Sequence, residues 1–160
     1  MHSQQRTWDC PRVADGRAWR EYFRRGLAPL LCTEALAALA AALAGDDCRV
    51  LQGMTIMPPA GEIFGQETPD AGCALAYALW RTPGNEHITV IELEQLWVRL
   101  LLDADVRLGR AGASRDFLRW YDGAERPAMR ILLAAEIERE LLGRHAHKEP
   151  VHERDTQLAS

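Results

Sequence analysis

The sequence predicts a mainly α protein: a single compact domain of five to six helices, with at most one short β-ladder and a long ordered loop. Apolar residues recur at helical spacing in six stretches, most of them bounded by residues that start or stop helices. Strand character is confined to 49–51 or a little longer, and to 87–89. The chain has 160 residues, 48% of them apolar, which suits one domain around one core.

The strongest stretch is 89–109, TVIELEQLWVRLLLDADVRLG. Thr89 and Glu92 have the Ser/Thr-x-x-Glu spacing that satisfies the free N–H groups of a first helical turn. Leu93, Leu96, Trp97, Leu100, Leu101, Ala104 and Leu108 then form one broad stripe, and Gly109 supplies the stop. A stripe that wide needs other helices over it, so this element is expected at the centre of the core.

The other helices are read in chain order. Residues 15–26 carry Trp19, Tyr22 and Phe23 on one face, with Pro29 just beyond. Thr33 opens a helix with Leu36, Leu39, Ala40 and Leu43 inward, ending at Gly45. Asp70 is expected to cap a third, with Leu75, Leu79 and Trp80 inward and a break at Thr82-Pro83-Gly84. Ser114 or Arg115 starts a shorter helix bearing Phe117, Leu118 and Tyr121, closed by Gly123. Pro127 suits a first helical position. Met129, Leu132, Leu133, Ile137 and Leu141 define a last helix stopped by Gly143. The domain is thus assigned to residues 1–143, with 144–160 a flexible polar tail.

Chemistry finds little support. The four cysteines, Cys10, Cys32, Cys48 and Cys73, form no C-x-x-C pair and read as free thiols packed as small apolar groups. His145, His147 and His152 fall in the tail, where nothing rigid supports a metal, so no metal and no cofactor is expected. No phosphate loop, dinucleotide glycine motif or nucleophile elbow is present, and the only serines are Ser3, Ser114 and Ser160. No catalytic residue is assigned. A pairing of Cys48 or Cys73 with His87 is the one arrangement left open, as the third reading of function.

Charge adds to this. Net charge is -4 and the isoelectric point about 5.7, which disfavours direct nucleic-acid binding. Lys148 is the one lysine among nineteen basic residues, a bias read as GC-rich bacterial coding and not as selection for bidentate contacts. Arg17, Arg20 and Arg24 share a helical face expected to be solvated. Glu136, Glu138 and Glu140 are expected to be solvated as well, with Arg99–Asp103 a surface ion pair. Glu86, Glu92, Glu94, Asp103 and Asp105 give the 89–109 helix an acidic flank. The longest apolar run, 35–44, is too short to cross a bilayer, and the first ten residues lack a signal-peptide pattern, so a cytoplasmic location is expected.

Two contact regions remain. The loop 53–69, GMTIMPPAGEIFGQETP, is long for a compact domain and carries Met57, Ile63 and Phe64. These side chains either pin the loop to the core or form a recognition tip. Arg119, Trp120 and Tyr121, at a helix end, are residue types enriched in interface anchors. The expectation is a small binding protein that acts by contact with another protein or in a homodimer. The alternative is an inhibitor, of the kind phages and mobile elements carry, whose acidic flank blocks a nucleic-acid-binding host protein.

Overall fold

The computed structural model describes residues 16–148. Helix α1 (Ala18–Glu21) widens into a π-helical segment, Tyr22–Leu27, and closes with a 3-10 turn, Ala28–Leu30. Trp19, Tyr22 and Phe23 are buried, as their spacing predicts, and Leu27 joins them. Helix α2 (Thr33–Ala44) begins where the Cys32 sulfur accepts the Ala35 N–H, and it buries Leu36, Leu39 and Leu43. Three short strands follow, β1 (Val50–Leu51), β2 (Ile56–Met57) and β3 (Ala71–Cys73), in the order β1-β3-β2. β1 runs parallel to β3 and β2 antiparallel to it, so that Val50 and Ile56 both register with Gly72. Helices α3 (Ala74–Trp80), α4 (Val90–Leu108), α5 (Ser114–Gly123) and α6 (Arg126–Lys148) complete a mainly helical fold.

Helix α4 has the predicted ends. Thr89 Oγ accepts the Glu92 N–H while the Glu92 carboxylate accepts the Thr89 N–H at 2.9 Å. Gly109 sits at φ 70°, a left-handed conformation that disfavours a side chain. Leu93, Leu100, Leu101 and Ala104 are buried, while Leu96, Trp97 and Leu108 pack at the edge of the core. The π-helical segment crosses α4 closely. The Tyr22 hydroxyl donates to the Leu101 carbonyl at 3.2 Å, and a Cβ on Gly26 would lie 3.2 Å from the Ala104 carbonyl oxygen.

Several boundaries differ from expectation. Asp70 does not cap α3: strand β3 intervenes, and Cys73 occupies the cap. Residues 87–89 form no strand, because Ile88 closes a turn on the Asn85 carbonyl and Thr89 becomes the cap of α4. Helix α6 does not stop at Gly143. Arg144 beyond it binds the carbonyls of Ala28 and Leu31, the Thr33 hydroxyl and Glu140, which outweighs the roughly 1 kcal/mol cost of a helical glycine. The tail expectation therefore fails for residues 144–148, and its remainder, with Cys10 and His152, lies outside the described residues.

Charged side chains cross-link the helices. Glu136 is only 4% exposed and accepts from Arg24 in a bidentate pair at 2.6 and 2.8 Å, with Arg20 and Arg139 each 3.4 Å away. Glu136 is thus not solvated as expected, whereas Arg17, Arg24 and Glu138 are exposed, and Arg24 keeps its outer side in solvent while its guanidinium covers the Glu136 carboxylate. Arg130 caps the Leu43 and Ala44 carbonyls at the end of α2, and Arg126 binds Asp46 and the Val50 carbonyl. Arginine is here used for its several fixed donors, contrary to the reading of coding bias alone.

Truncating the centre of α4 tests the core. Leu100→Ala is expected to cost about 2–5 kcal/mol in urea unfolding, and a loss under about 1 kcal/mol would make α4 peripheral. Glu136 gives a pH test. Burial pushes its carboxyl up, but the hydrogen bonds and charges of Arg24, with Arg139 and Arg20, hold it below the usual carboxylate range. Its stabilisation is present above the unfolded value of about 4.3 and is lost as pH falls through the lower folded value. Glu136→Gln should lose about 1.5–3 kcal/mol at pH 7. The gap to wild type should close on acidification, and a gap unchanged between about pH 7 and 3 would refute a charge-based lock.

Candidate protein-contact surface

The first turn of α4 fixes the loop that precedes it. Backbone N–H groups there lack helical partners and must bind elsewhere. Val90 N–H donates to the Glu67 carbonyl at 2.8 Å and Ile91 N–H to the Gly65 carbonyl at 3.1 Å, while Thr89 takes the third donor. Loop residues 65–67 are thereby bound to the helix start. Immediately before them, Glu62 accepts the Phe64 N–H at 2.6 Å, closing a tight turn that holds Ile63 and Phe64 outward. Ile63 is 79% exposed and Phe64 73%. These two do not pin the loop to the core; backbone bonds do that, leaving the side chains in solvent.

The tip is continued by a feature that the sequence reading missed. Ile91, Val98, Leu102 and Val106 all lie on the solvent side of α4, with Leu102 60% and Val106 80% exposed. Their spacing of seven, four and four residues places them along one face, about 22 Å long at 1.5 Å per residue. The signal was available: α4 is apolar on two faces, and a helix apolar all round is one that is covered all round. Ile91 links the two parts, since its own N–H binds the loop beside Phe64. Met57, on β2, is also exposed.

The charges beside this strip sort into two kinds. Glu92 is held in the cap, Glu86 accepts the Gly84 N–H, and Asp105 accepts the Gly112 and Ser114 N–H groups at 2.9 Å to hold the start of α5. Of the five acids expected on the flank, only Glu94 and Asp103 are without a bond among the described residues. Arg99 and Asp103 do not form the expected ion pair, and among the described residues neither has another partner.

The second expected contact region is taken into the fold. Trp120 is half-buried and stacks flat on Trp19, ring centroids 3.5 Å apart. Tyr121 is buried, where its hydroxyl donates to the Leu51 carbonyl and accepts the Ala74 N–H at 3.0 Å. Burial pushes the Tyr121 phenol well above its ordinary value, as expected of a group kept neutral between strand and helix. Arg119 alone of the three is exposed. Helix α5 works as an internal anchor, with Gln52 and Gly53 at the base of the loop also bonded to its end.

The arrangement offers little for turnover. His87 lies in an open cleft of about 530 Å³ with Asn85, Gln95 and Arg99, and no cysteine lines it. Burial pushes the Cys73 thiol up, away from a thiolate nucleophile, while Cys48 is exposed and Cys32 caps α2. Among the described residues no three potential ligands gather for a metal. His145 and His147 each bind a carbonyl of their own helix, and two residues apart on a helix they point about 200° from one another.

Fold and surface together define a small, mainly helical protein with an apolar strip on α4 that no other described residue covers. No family model, curated protein or solved structure matches the chain. Among the described residues no helix is long and apolar enough to cross a membrane. Because Trp120 is an internal stack, Trp120→Ala should behave as a stability variant. It is expected to lower stability by about 2–4 kcal/mol in chemical unfolding. Unchanged stability would restore Trp120 as a surface anchor.

Proposed function

We propose that this protein acts by contact with another protein, through the strip formed by Ile63, Phe64 and the outer face of α4. The observation that carries the reading is the apolar character of that face. Four large aliphatic residues stand in solvent on a helix whose opposite side already fills the core. Contiguous exposed apolar surface on a folded domain marks an interaction site, because leaving it in water costs about 25 cal/mol per Å². The fixed tip suits such a role, since a side chain held in place by backbone bonds loses little freedom on binding.

The inhibitor reading has less support. A mimic of nucleic acid needs a dense row of free carboxylates, and three of the five acids on the flank are bonded within the chain. An enzyme reading rests on the His87 cleft, and no cysteine or serine among the described residues lines it.

Capture of partners from the native host, identified by mass spectrometry, supplies the binding assay. Phe64→Ala and Leu102→Ala should each weaken binding by more than about 2 kcal/mol, or roughly thirtyfold, while circular dichroism stays as in wild type. Both variants binding like wild type, with His87→Ala abolishing a cellular activity, would replace the contact reading with an enzymatic one.

A further inference from the structure

We propose that the occupant of the outer face of α4 is α4 of a second copy, packed antiparallel across a twofold axis; this deepens the contact reading and rests on it. The spacing of the strip is self-complementary. With the axis at the level of residue 101, each position i of one copy lies level with position 202 minus i of the other. Leu102 of the second copy then falls between Val98 and Leu102, its Val98 between Leu102 and Val106, and its Val106 between Ile91 and Val98. Side chains of the two helices alternate along the seam, as ridges and grooves require.

The same register pairs two charges that have no partner among the described residues. Arg99 and Asp103 lie on one flank of the strip, and in an antiparallel pair about a twofold axis each flank meets itself. Arg99 comes level with Asp103 of the second copy, and the twofold repeats the pair. Most described arginines already have a hydrogen bond, ion pair or ring contact within their own chain, so an unpartnered Arg99 four residues from an unpartnered Asp103 on an apolar seam is distinctive. The two Glu94 carboxylates, fourteen residues apart along the axis, are separated by about 20 Å and do not repel. At each end of the seam, Ile91 of one copy comes level with residue 111 of the other, just past the end of its α4 at Leu108. A seam of this length is below the size of a standard stable interface, so a concentration-dependent dimer is expected, with a dissociation constant on the order of micromolar.

Sedimentation velocity of the full chain over roughly 1–200 micromolar reads this directly. Wild type should pass from monomer to dimer. Arg99→Glu and Asp103→Arg alone should each weaken self-association at least tenfold, and Leu102→Glu should abolish it. An equimolar mixture of the Arg99→Glu and Asp103→Arg chains should recover dimer, because the charges then match between copies although not within either one. A wild type that stays monomeric, or a mixture that fails to recover, overturns the proposal. The two readings fail separately. A monomer whose foreign partner is lost with Phe64→Ala sinks the twofold pairing and leaves contact with another protein. A dimer with the charge rescue stands even where Phe64→Ala and Leu102→Ala leave capture of a foreign partner unchanged.

Discussion

The close crossing of the π-helical segment over α4 is the constraint on which the other contacts rest. At Gly26 the two backbones are near enough that a Cβ would meet both the carbonyl oxygen and the side chain of Ala104. Tyr22, one turn earlier, reaches the Leu101 carbonyl across the same joint. Phe117 of α5 then packs against both Tyr22 and Phe23, and Arg24 leaves the crossing on its other side to grip Glu136 of α6. A single close approach thus sets where α5 and α6 can lie, and a bulkier residue at Gly26 or Ala104 would push three helices apart together.

Arginine supplies the second layer of order. The last carbonyls of a helix have no partners of their own, and here they are met from a distance by guanidinium groups of α6. Arg130 serves the end of α2, and Arg144 serves the carbonyls of Ala28 and Leu31 that end the first helical run. The Arg24–Glu136 pair spans 112 residues of sequence. Such pairs explain why charged faces are hard to interpret from helical spacing: a residue pointing away from its own helix's core points equally well at solvent or at a neighbouring helix. Only the packing decides, and here it buried Glu136 beneath arginines that themselves remain partly in solvent.

Features determined by local chemistry were legible. The capping box and left-handed Gly109 of α4, the stripe of α2 and the Trp19–Tyr22–Phe23 face all follow from side chains acting within a few residues. Features determined across the fold were not. Strands β2 and β3 are two and three residues long, too short for any period to show, and they exist because Gly72 fits between partners on both sides. Asp70 had the chemistry of a cap, but that strand pairing claimed the following residues. Trp120 and Tyr121 had the composition of a contact site, yet one ring had a stacking partner and the other a strand and a helix to join. Of the candidate surface, the 63–64 tip was visible as an apolar interruption in a polar loop. The α4 face was hidden in plain view, because one strong stripe already accounted for the helix.

That second face has a physical cost that contacts among the described residues do not offset. Solvent-exposed positions on a helix are free to carry charged or polar residues, which favour helix as well and keep the surface soluble. Ile91 and Val98, two β-branched residues with poorer helix propensity than glutamate or lysine, occupy such positions instead. Ile91 and Val98 are partly covered within the chain, whereas the apolar area of Leu102 and Val106 would leave water only if the face were covered. Because every donor of the first turn of α4 is already satisfied and the preceding loop is bonded to it, covering that face needs no refolding. A partner bound there would meet a surface already held by hydrogen bonds, so the apolar area removed from water would be offset by little ordering of this chain.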